Sequence, residues 1–451
     1  MSHRGITLPA DSRLARSDFV FGVATSSFQI EGAAEQRLPC IWDTFCRQSG
    51  AIKDQSDGLI ACDHVNRWRD DLDLIDSLGV DAYRFSVSWP RVINEDGSIR
   101  QQGMDFYQRL VDALLEKGLK PFITLYHWDL PQYLADKGGW LNRDTAYRFQ
   151  DYANIFSRTL GERVHSYATL NEPYCSAYLG YELGIHAPGM KKRAFALQAA
   201  HHLLLAHGLG MQVLQQNAPK ALNGIVINLS PCHSATDRAE DVQAAKDADQ
   251  YFNRWYLDPV LTGCYPELMQ RLPAEDLPTM QEGDLKIIAQ PFDFLGVNYY
   301  TRGVYYRGDS DYFSAVEPRY VPLTDMGWEI YPEGLTEILL DIHQRYRLPP
   351  VYITENGAAL PEQIDNQKVL DSNRIDYFDR HLHALHEAIE KGVDVRGYFA
   401  WSLMDNFEWA EGYERRFGIV HVDFETQART LKSSALAWRH MLQRRRAANR
   451  R

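Results

Sequence analysis

Eight short, almost unbroken apolar runs recur along the chain, separated by longer stretches whose hydrophobic positions repeat every three to four residues. The runs are "FVFGVAT" (19–25), "VDAYRFSVS" (80–88), "KPFITLY" (120–126), "HSYATL" (165–170), "NGIVINL" (223–229), "DFLGVNY" (293–299), "PVYITE" (350–355) and "VRGYFAW" (395–401). Continuous rather than alternating apolar character is what a parallel strand buried on both faces requires. Between them the period becomes helical. "MDFYQRLVDALLEKG" puts Tyr107, Leu110, Val111, Leu114 and Leu115 on one face, and Gly118 stops it. "GLTEILLDIHQRY" aligns Leu335, Ile338, Leu339 and Ile342; "NRIDYFDRHLHALHEAIEKG" aligns Ile375, Phe378, Leu382, Leu385 and Ile389.

Eight strands alternating with helices predict an α/β fold, a single (β/α)8 TIM barrel over residues 1–451 with long βα-loop insertions and flexible ends at about 1–16 and 444–451. A length of 451 residues permits two or three domains, but a large barrel absorbs it in one, and no Pro/Gly/Ser-rich linker or internal repeat divides the chain. The alternative is a doubly wound open sheet. It would usually carry a glycine-rich phosphate turn after an early strand, where this chain reads "ATSSFQIEG".

In such a barrel, chemistry sits at the C-terminal ends of the strands. The runs end, in order, near Gln29 and Glu31; at Arg84; in His127-Trp128-Asp129; in Asn171-Glu172; in Asn228; in Asn298-Tyr299-Tyr300; in Glu355-Asn356; and in Trp401-Ser402. Each has a simpler reading. Asn171 with Pro173 serves as a helix start, and Asn356-Gly357 as a turn. Eight polar or aromatic strand ends together make a rim suited to a polyhydroxyl ligand. Glu172 and Glu355 end strands that face each other across the barrel, and a facing carboxylate pair is the equipment of glycoside hydrolysis. One must be ionised and the other protonated, and the first charge raises the neighbour's pKa. Arg84 is the candidate to keep Glu355 ionised, with Tyr300 donating to it.

The motifs "TLNEP", "YITENG", "YHWDLP", "GVNYYT" and "WSLMDNFEWAEGYERRFGIVHVDF" closely resemble glycoside hydrolase family 1, the β-glucosidase family, over nearly the whole chain. The resemblance implies a retaining enzyme with Glu172 as general acid/base and Glu355 as nucleophile. It puts Gln29, His127, Asn171, Asn298, Tyr300 and Trp401 around the sugar in the −1 subsite. Glu408 and Trp409 would grip its 3-, 4- and 6-hydroxyls, and Phe417 would close the site. Trp128 and Trp328 fall on the aglycone side. Cys175, two residues past the motif, reads as a mere neighbour. A thioglucosidase-like Gln at 172 is not found, nor is the Ser with Lys and Tyr that holds a 6-phosphate; the charge of Glu408 would repel one. A neutral, unphosphorylated β-glycoside is therefore expected, with β-galactosidase, β-fucosidase, transglycosylase or a non-catalytic sugar-binding barrel as alternatives. A retaining pair implies carboxyl groups ~5–5.5 Å apart.

Composition adds exclusions. A net charge of −12 disfavours a nucleic-acid partner. The basic end (Gln443 to Arg446, then Arg450-Arg451) reads as a solvated tail. No apolar stretch approaches a membrane span, and the N-terminus has no signal-like core, so the expectation is a cytoplasmic protein without a membrane partner. Six Cys without a C-x-x-C motif give no zinc pattern. His201, His202 and His207 lie at spacings that do not share a helical face, so core or surface roles are expected, with no metal and no cofactor.

Overall fold

The computed structural model describes residues 5–9, 11–309, 312–319 and 321–450. Eight strands close a barrel: β1 (Val20–Ala24), β2 (Ala82–Ser86), β3 (Lys120–Tyr126), β4 (Ser166–Asn171), β5 (Leu222–Asn228), β6 (Phe294–Asn298), β7 (Val351–Asn356) and β8 (Val395–Trp401). Each pairs in parallel with the next, and β8 closes on β1 with Val20 opposite Gly397 and Ala24 opposite Trp401. Every strand is centred on a predicted run. All are almost wholly buried, because helices cover the outer face and side chains fill the inner one.

The filling is aromatic. Phe122 of β3 lies 4.9 Å from the Phe399 ring of β8 and 5.7 Å from that of Tyr352 of β7. Gly22 of β1 leaves the space for Phe399: a Cβ there would sit 2.3 Å from the phenyl ring. A second, larger core lies between barrel and helices. The helix Gln101–Glu116 buries Tyr107, Leu110, Val111 and Leu114 as its spacing predicts, while Leu115 faces solvent. The helices Glu333–Arg345 and Ser372–Glu390 bury their predicted apolar faces, with Ile389 at the half-buried edge.

The basic end departs from expectation in its helical conformation and at Arg445. Residues 444–449 continue the helix Ser433–Asn449. Arg445 is buried, donating to the carbonyls of Arg16 and Phe19 and pairing with Asp81 at 2.8 Å, and Arg444 donates to the Ile6 carbonyl at 2.7 Å. Arg444 and Arg445 thus tie the end to carbonyls of the N-terminal segment, while Gln443, Arg444, Arg446 and residues 447–450 remain exposed, as expected of a solvated end. Of the ends expected to be flexible, residues 1–4, 10 and 451 lie outside the described residues. No described helix is long and apolar enough to cross a membrane.

Strand pairing is regular except at a few places. β4 shifts register between Ala168 and Asn171, and β7 between Ile353 and Glu355. Such irregularities re-aim side chains, and they occur here at the strand ends that bear Asn171, Glu172 and Glu355.

Candidate active site

The C-terminal mouth of the barrel encloses a cavity of about 460 Å³. Glu355, next to last in β7, points into it and is buried. Arg84 in mid-β2 places Nη1 2.8 Å from Glu355 Oε1 and 3.2 Å from the Thr354 carbonyl, and its Nη2 2.6 Å from Asn171 Oδ1. The Tyr300 hydroxyl donates to Glu355 Oε2. Both oxygens thus meet a donor, one of them a cation. Burial leaves the Glu355 carboxyl above its ordinary value, and Arg84 and Tyr300 pull back toward ionisation.

Glu172 follows β4 in a left-handed conformation, with φ +48°. Its Oε1 accepts from Asn298 Nδ2 at 2.8 Å and its Oε2 from the Cys175 thiol at 3.3 Å. Among the described residues no salt bridge reaches it, unlike Glu355. Burial first, then the charge of Glu355, raises its pKa to about 8. Two carboxyl groups on one cavity therefore differ: one is drawn toward ionisation by a cation and a phenol, the other is kept protonated near neutrality. Asn298 ties them together. Its Nδ2 also donates to Asn171 Oδ1 at 3.1 Å, and its Oδ1 accepts from Thr354 Oγ1 at 2.6 Å.

His127, Trp128, Asn298, Tyr300, Trp328, Trp401, Glu408, Trp409 and Phe417 join the two carboxylates on the cavity wall. Gln29, Arg84 and Asn171 lie one layer behind. The Gln29 amide donates to Asn406 Oδ1 and the Phe407 carbonyl, both at 2.9 Å, and reaches Glu408 Oε2 at 3.4 Å. Its carbonyl oxygen accepts from Ser26, so the side chain braces the Glu408 loop. His127 stacks on Trp401 (5.9 Å, 17°) and Trp409 (6.0 Å, 15°). Burial and Arg84 hold it neutral. With Asn171 Nδ2 3.2 Å from its Nε2, the network assigns the proton to Nδ1, which has no partner among the described residues. Trp128 is fixed by donating its indole N–H to the Asn171 carbonyl at 2.8 Å. Trp328 packs on Tyr300 and Phe417. Burial, with Glu355, Glu172 and Glu411 nearby, pushes the Glu408 carboxyl well above the usual range.

Glu31, Asp129 and Asn356 turn away, as do Tyr299, whose hydroxyl donates to the Tyr331 carbonyl, and Ser402, whose hydroxyl donates to the Met404 carbonyl. Glu31 pairs with Arg91 at 2.9 Å and accepts from Tyr107, both behind the loop. Asp129 accepts from Ser27 at 2.6 Å, and burial raises its pKa to about 7. Asn356 bonds to the Tyr299 carbonyl and the Tyr377 and Tyr398 hydroxyls. Gly357 answers a close approach rather than a turn, since a Cβ there would meet the Trp401 carbonyl oxygen at 1.6 Å. Asn171 is the last residue of β4 and not a helix cap, with its side chain held by Arg84 and Asn298.

Sequence reading missed the fastening of the loop that carries Glu408, Trp409 and Phe417. Asp405, fully buried, accepts from Lys432 Nζ at 2.8 Å, Arg416 at 2.7 Å and the Gly418 N–H at 3.0 Å. With Glu362 and His421 it forms a three-residue cluster of metal-ligand type, but Lys432 already supplies the cation between Asp405 and Glu362. It also undervalued Cys175. The histidines of "AHHLLLAHG" hold Tyr265 and Asp284 (His201), the Trp140 carbonyl (His202) and Thr169 (His207).

Fold and site define a class: a (β/α)8-barrel enzyme of the two-carboxylate, glycoside-cleaving kind. The chain belongs to glycosyl hydrolase family 1, whose model matches residues 12–447. It is 47% identical over 428 residues to a beta-glucosidase of an Agrobacterium species, covering 92% of this chain and 93% of that one. It is 46% identical to a bifunctional beta-D-glucosidase/beta-D-fucosidase of Bifidobacterium breve, covering 92% and 95%. A family 1 glycoside hydrolase of Thermotoga maritima, solved with a cyclophellitol-analogue transition-state mimic, superposes with a TM-score of 0.93 at 44% identity, covering 95% of this chain and 98% of that one.

Proposed function

We propose that the protein is a retaining β-glucosidase that removes terminal non-reducing β-D-glucosyl residues from β-glucosides and short oligosaccharides such as cellobiose. One observation carries the assignment of roles: Arg84 and Tyr300 hold Glu355, while Glu172 has no ion-pair partner among the described residues and a pKa raised to about 8. Glu355 attacks the anomeric carbon, and Glu172 gives its proton to the departing glycosidic oxygen. A covalent glycosyl–Glu355 ester results. Glu172, now a carboxylate, takes a proton from water, whose oxygen displaces Glu355 and leaves the sugar with its original configuration. The stacked His127, Trp401 and Trp409 offer an apolar platform and an N–H donor to the ring, and Glu408 offers its carboxyl to the far hydroxyls. Among the described residues, four glutamates and no lysine or arginine line the cavity, which favours a neutral substrate.

The test is a pair of variants. Glu355→Gly loses hydrolysis but makes glycosidic bonds from an α-glucosyl fluoride. Glu172→Gly keeps the first step for good leaving groups and is reactivated by azide. Wild-type hydrolysis by Glu355→Gly, or loss by Glu172→Gly that is independent of leaving group, refutes the assignment. The Bifidobacterium relative supports a second reading, in which β-D-fucosides are also cleaved; a panel of nitrophenyl glycosides ranks the two. A reducing cytoplasm suits six free cysteines.

A further inference from the structure

The helical turn that follows β4 closes over Glu172: the Cys175 N–H donates to the Glu172 carbonyl at 2.9 Å. That closure puts the i+3 side chain beneath the carboxyl group, with Sγ 3.3 Å from Oε2. The thiol is buried and on the cavity wall. We propose that Cys175 is a positioning residue for the acid/base carboxyl, its thiol orienting Glu172 and, with Asn298 on Oε1, reserving Oε2 for the proton that is transferred. The inference rests on the acid/base reading of Glu172.

The chemistry follows from the two partners. Asn298 Nδ2 can only donate, and its Oδ1 is occupied by Thr354. Oε1 is therefore an acceptor in every state, and the acid's proton belongs on Oε2. A thiol is a weak donor and a weak acceptor on a freely rotating S–H. It donates to Oε2 while Glu172 is a carboxylate. It turns aside, or accepts, once Oε2 carries the proton. A stronger, donor-only group would lock the carboxylate form and spoil the acid. Burial and the adjacent Glu172 charge keep the thiol protonated, so the sulfur does not compete with Glu355 for the anomeric carbon.

The test replaces Cys175 with Val, which matches its size without a donor, and with Ser, which keeps one; Cys175→Ala stands in if Val fails to fold. Two glucosides are compared in kcat/KM: one with a dinitrophenolate leaving group, which needs no acid, and one with an alkyl leaving group, which does. Cys175→Val should lose about tenfold on the alkyl glucoside, the order expected for a misplaced proton donor. It should stay within about twofold on the dinitrophenyl glucoside. Its basic limb should move up by about half a pH unit, since a donor to the ionised form has gone. Cys175→Ser should recover most of both. Equal losses on the two substrates, or no change in either substrate and no movement of the basic limb, overturn the proposal. Glu172→Gly run in parallel separates the failures. If it shows the leaving-group dependence and Cys175→Val does not, only the role of the thiol falls; if it shows none, the acid/base reading falls with it.

Discussion

Removing the charge of Arg84 while keeping its volume, as in Arg84→Met, tests what keeps Glu355 ionised. Nη1 lies 2.8 Å from Oε1 within a buried site. Unit charges about 4 Å apart at an effective dielectric of about 20 interact by about 4 kcal/mol. Divided by 1.36 kcal/mol per pH unit, that is an upward move of about 2–3 units for the acidic limb of kcat/KM once side-chain relaxation is allowed for. The sign is fixed: losing a neighbouring positive charge disfavours the carboxylate, so the nucleophile ionises only at higher pH. Arg84 also lowers Glu172, so the basic limb moves in the same direction by less. The two limbs converge, and the bell narrows, shifts alkaline and drops in height by about 100-fold at pH 6. The assay is kcat/KM for a nitrophenyl glucoside from pH 4 to 10, with the melting temperature as a folding control. Arg84→Lys retains the charge without the fork to Asn171, and should shift the limb far less. A uniform fall at all pH values, with the acidic limb unmoved, would refute the electrostatic role.

Tyr300→Phe removes the other donor on Glu355, and its acidic limb should rise by about one pH unit in the same assay. Glu408→Ala should lower kcat/KM for a β-glucoside by about 100-fold while narrowing its advantage over the 6-deoxy β-fucoside, because a site built for hydroxyls pays for losing them; an unchanged ratio contradicts contact with that edge of the sugar. Lys432→Met strands Asp405 without its ammonium partner and should destabilise the protein by about 3–5 kcal/mol at pH 7, read by chemical denaturation. Burial pushes Asp405 up, but Lys432 and Arg416 outweigh it and hold it below the usual carboxylate range. That contribution is present above the unfolded pKa and is lost as pH falls through the folded one, so the gap between variant and wild type should shrink on acidification below about pH 4.

The barrel was legible because burial on both faces makes each strand a continuous apolar run, and "DFLGVNY" or "PVYITE" can hardly be read otherwise. Glu172 and Glu355 were legible because they continue strands whose direction the fold dictates. What lay beyond reach was orientation. Glu355 and Asn356 are neighbours that face opposite ways, and the irregular register of β7 ahead of them, past Ile353, sets which of the two enters the cavity. Glu31 and Asp129 have the same composition as a rim residue and face elsewhere. Cys175 reaches Glu172 only because that residue's left-handed backbone folds the next turn beneath it. Lys432 meets Asp405 across a loop whose path no local pattern encodes, and Arg445 finds its carbonyls near the other end of the chain.

Trp128, Glu172 and Trp409 all have positive φ, at +80°, +48° and +51°. For bulky side chains this conformation costs about 1–3 kcal/mol each. All three stand on the cavity wall. The buried indoles of Trp128 and Trp409 return more than that in packing, but at Glu172 glycine would relieve both the backbone and the burial of a carboxyl group, so the folded state and the catalyst rank substitutions at that position in opposite orders. A breeding scheme that scores survivors by heat resistance alone would drift toward glycine there and enrich sturdy, inert barrels. Turnover has to be scored in the same round for the wall of this cavity to persist.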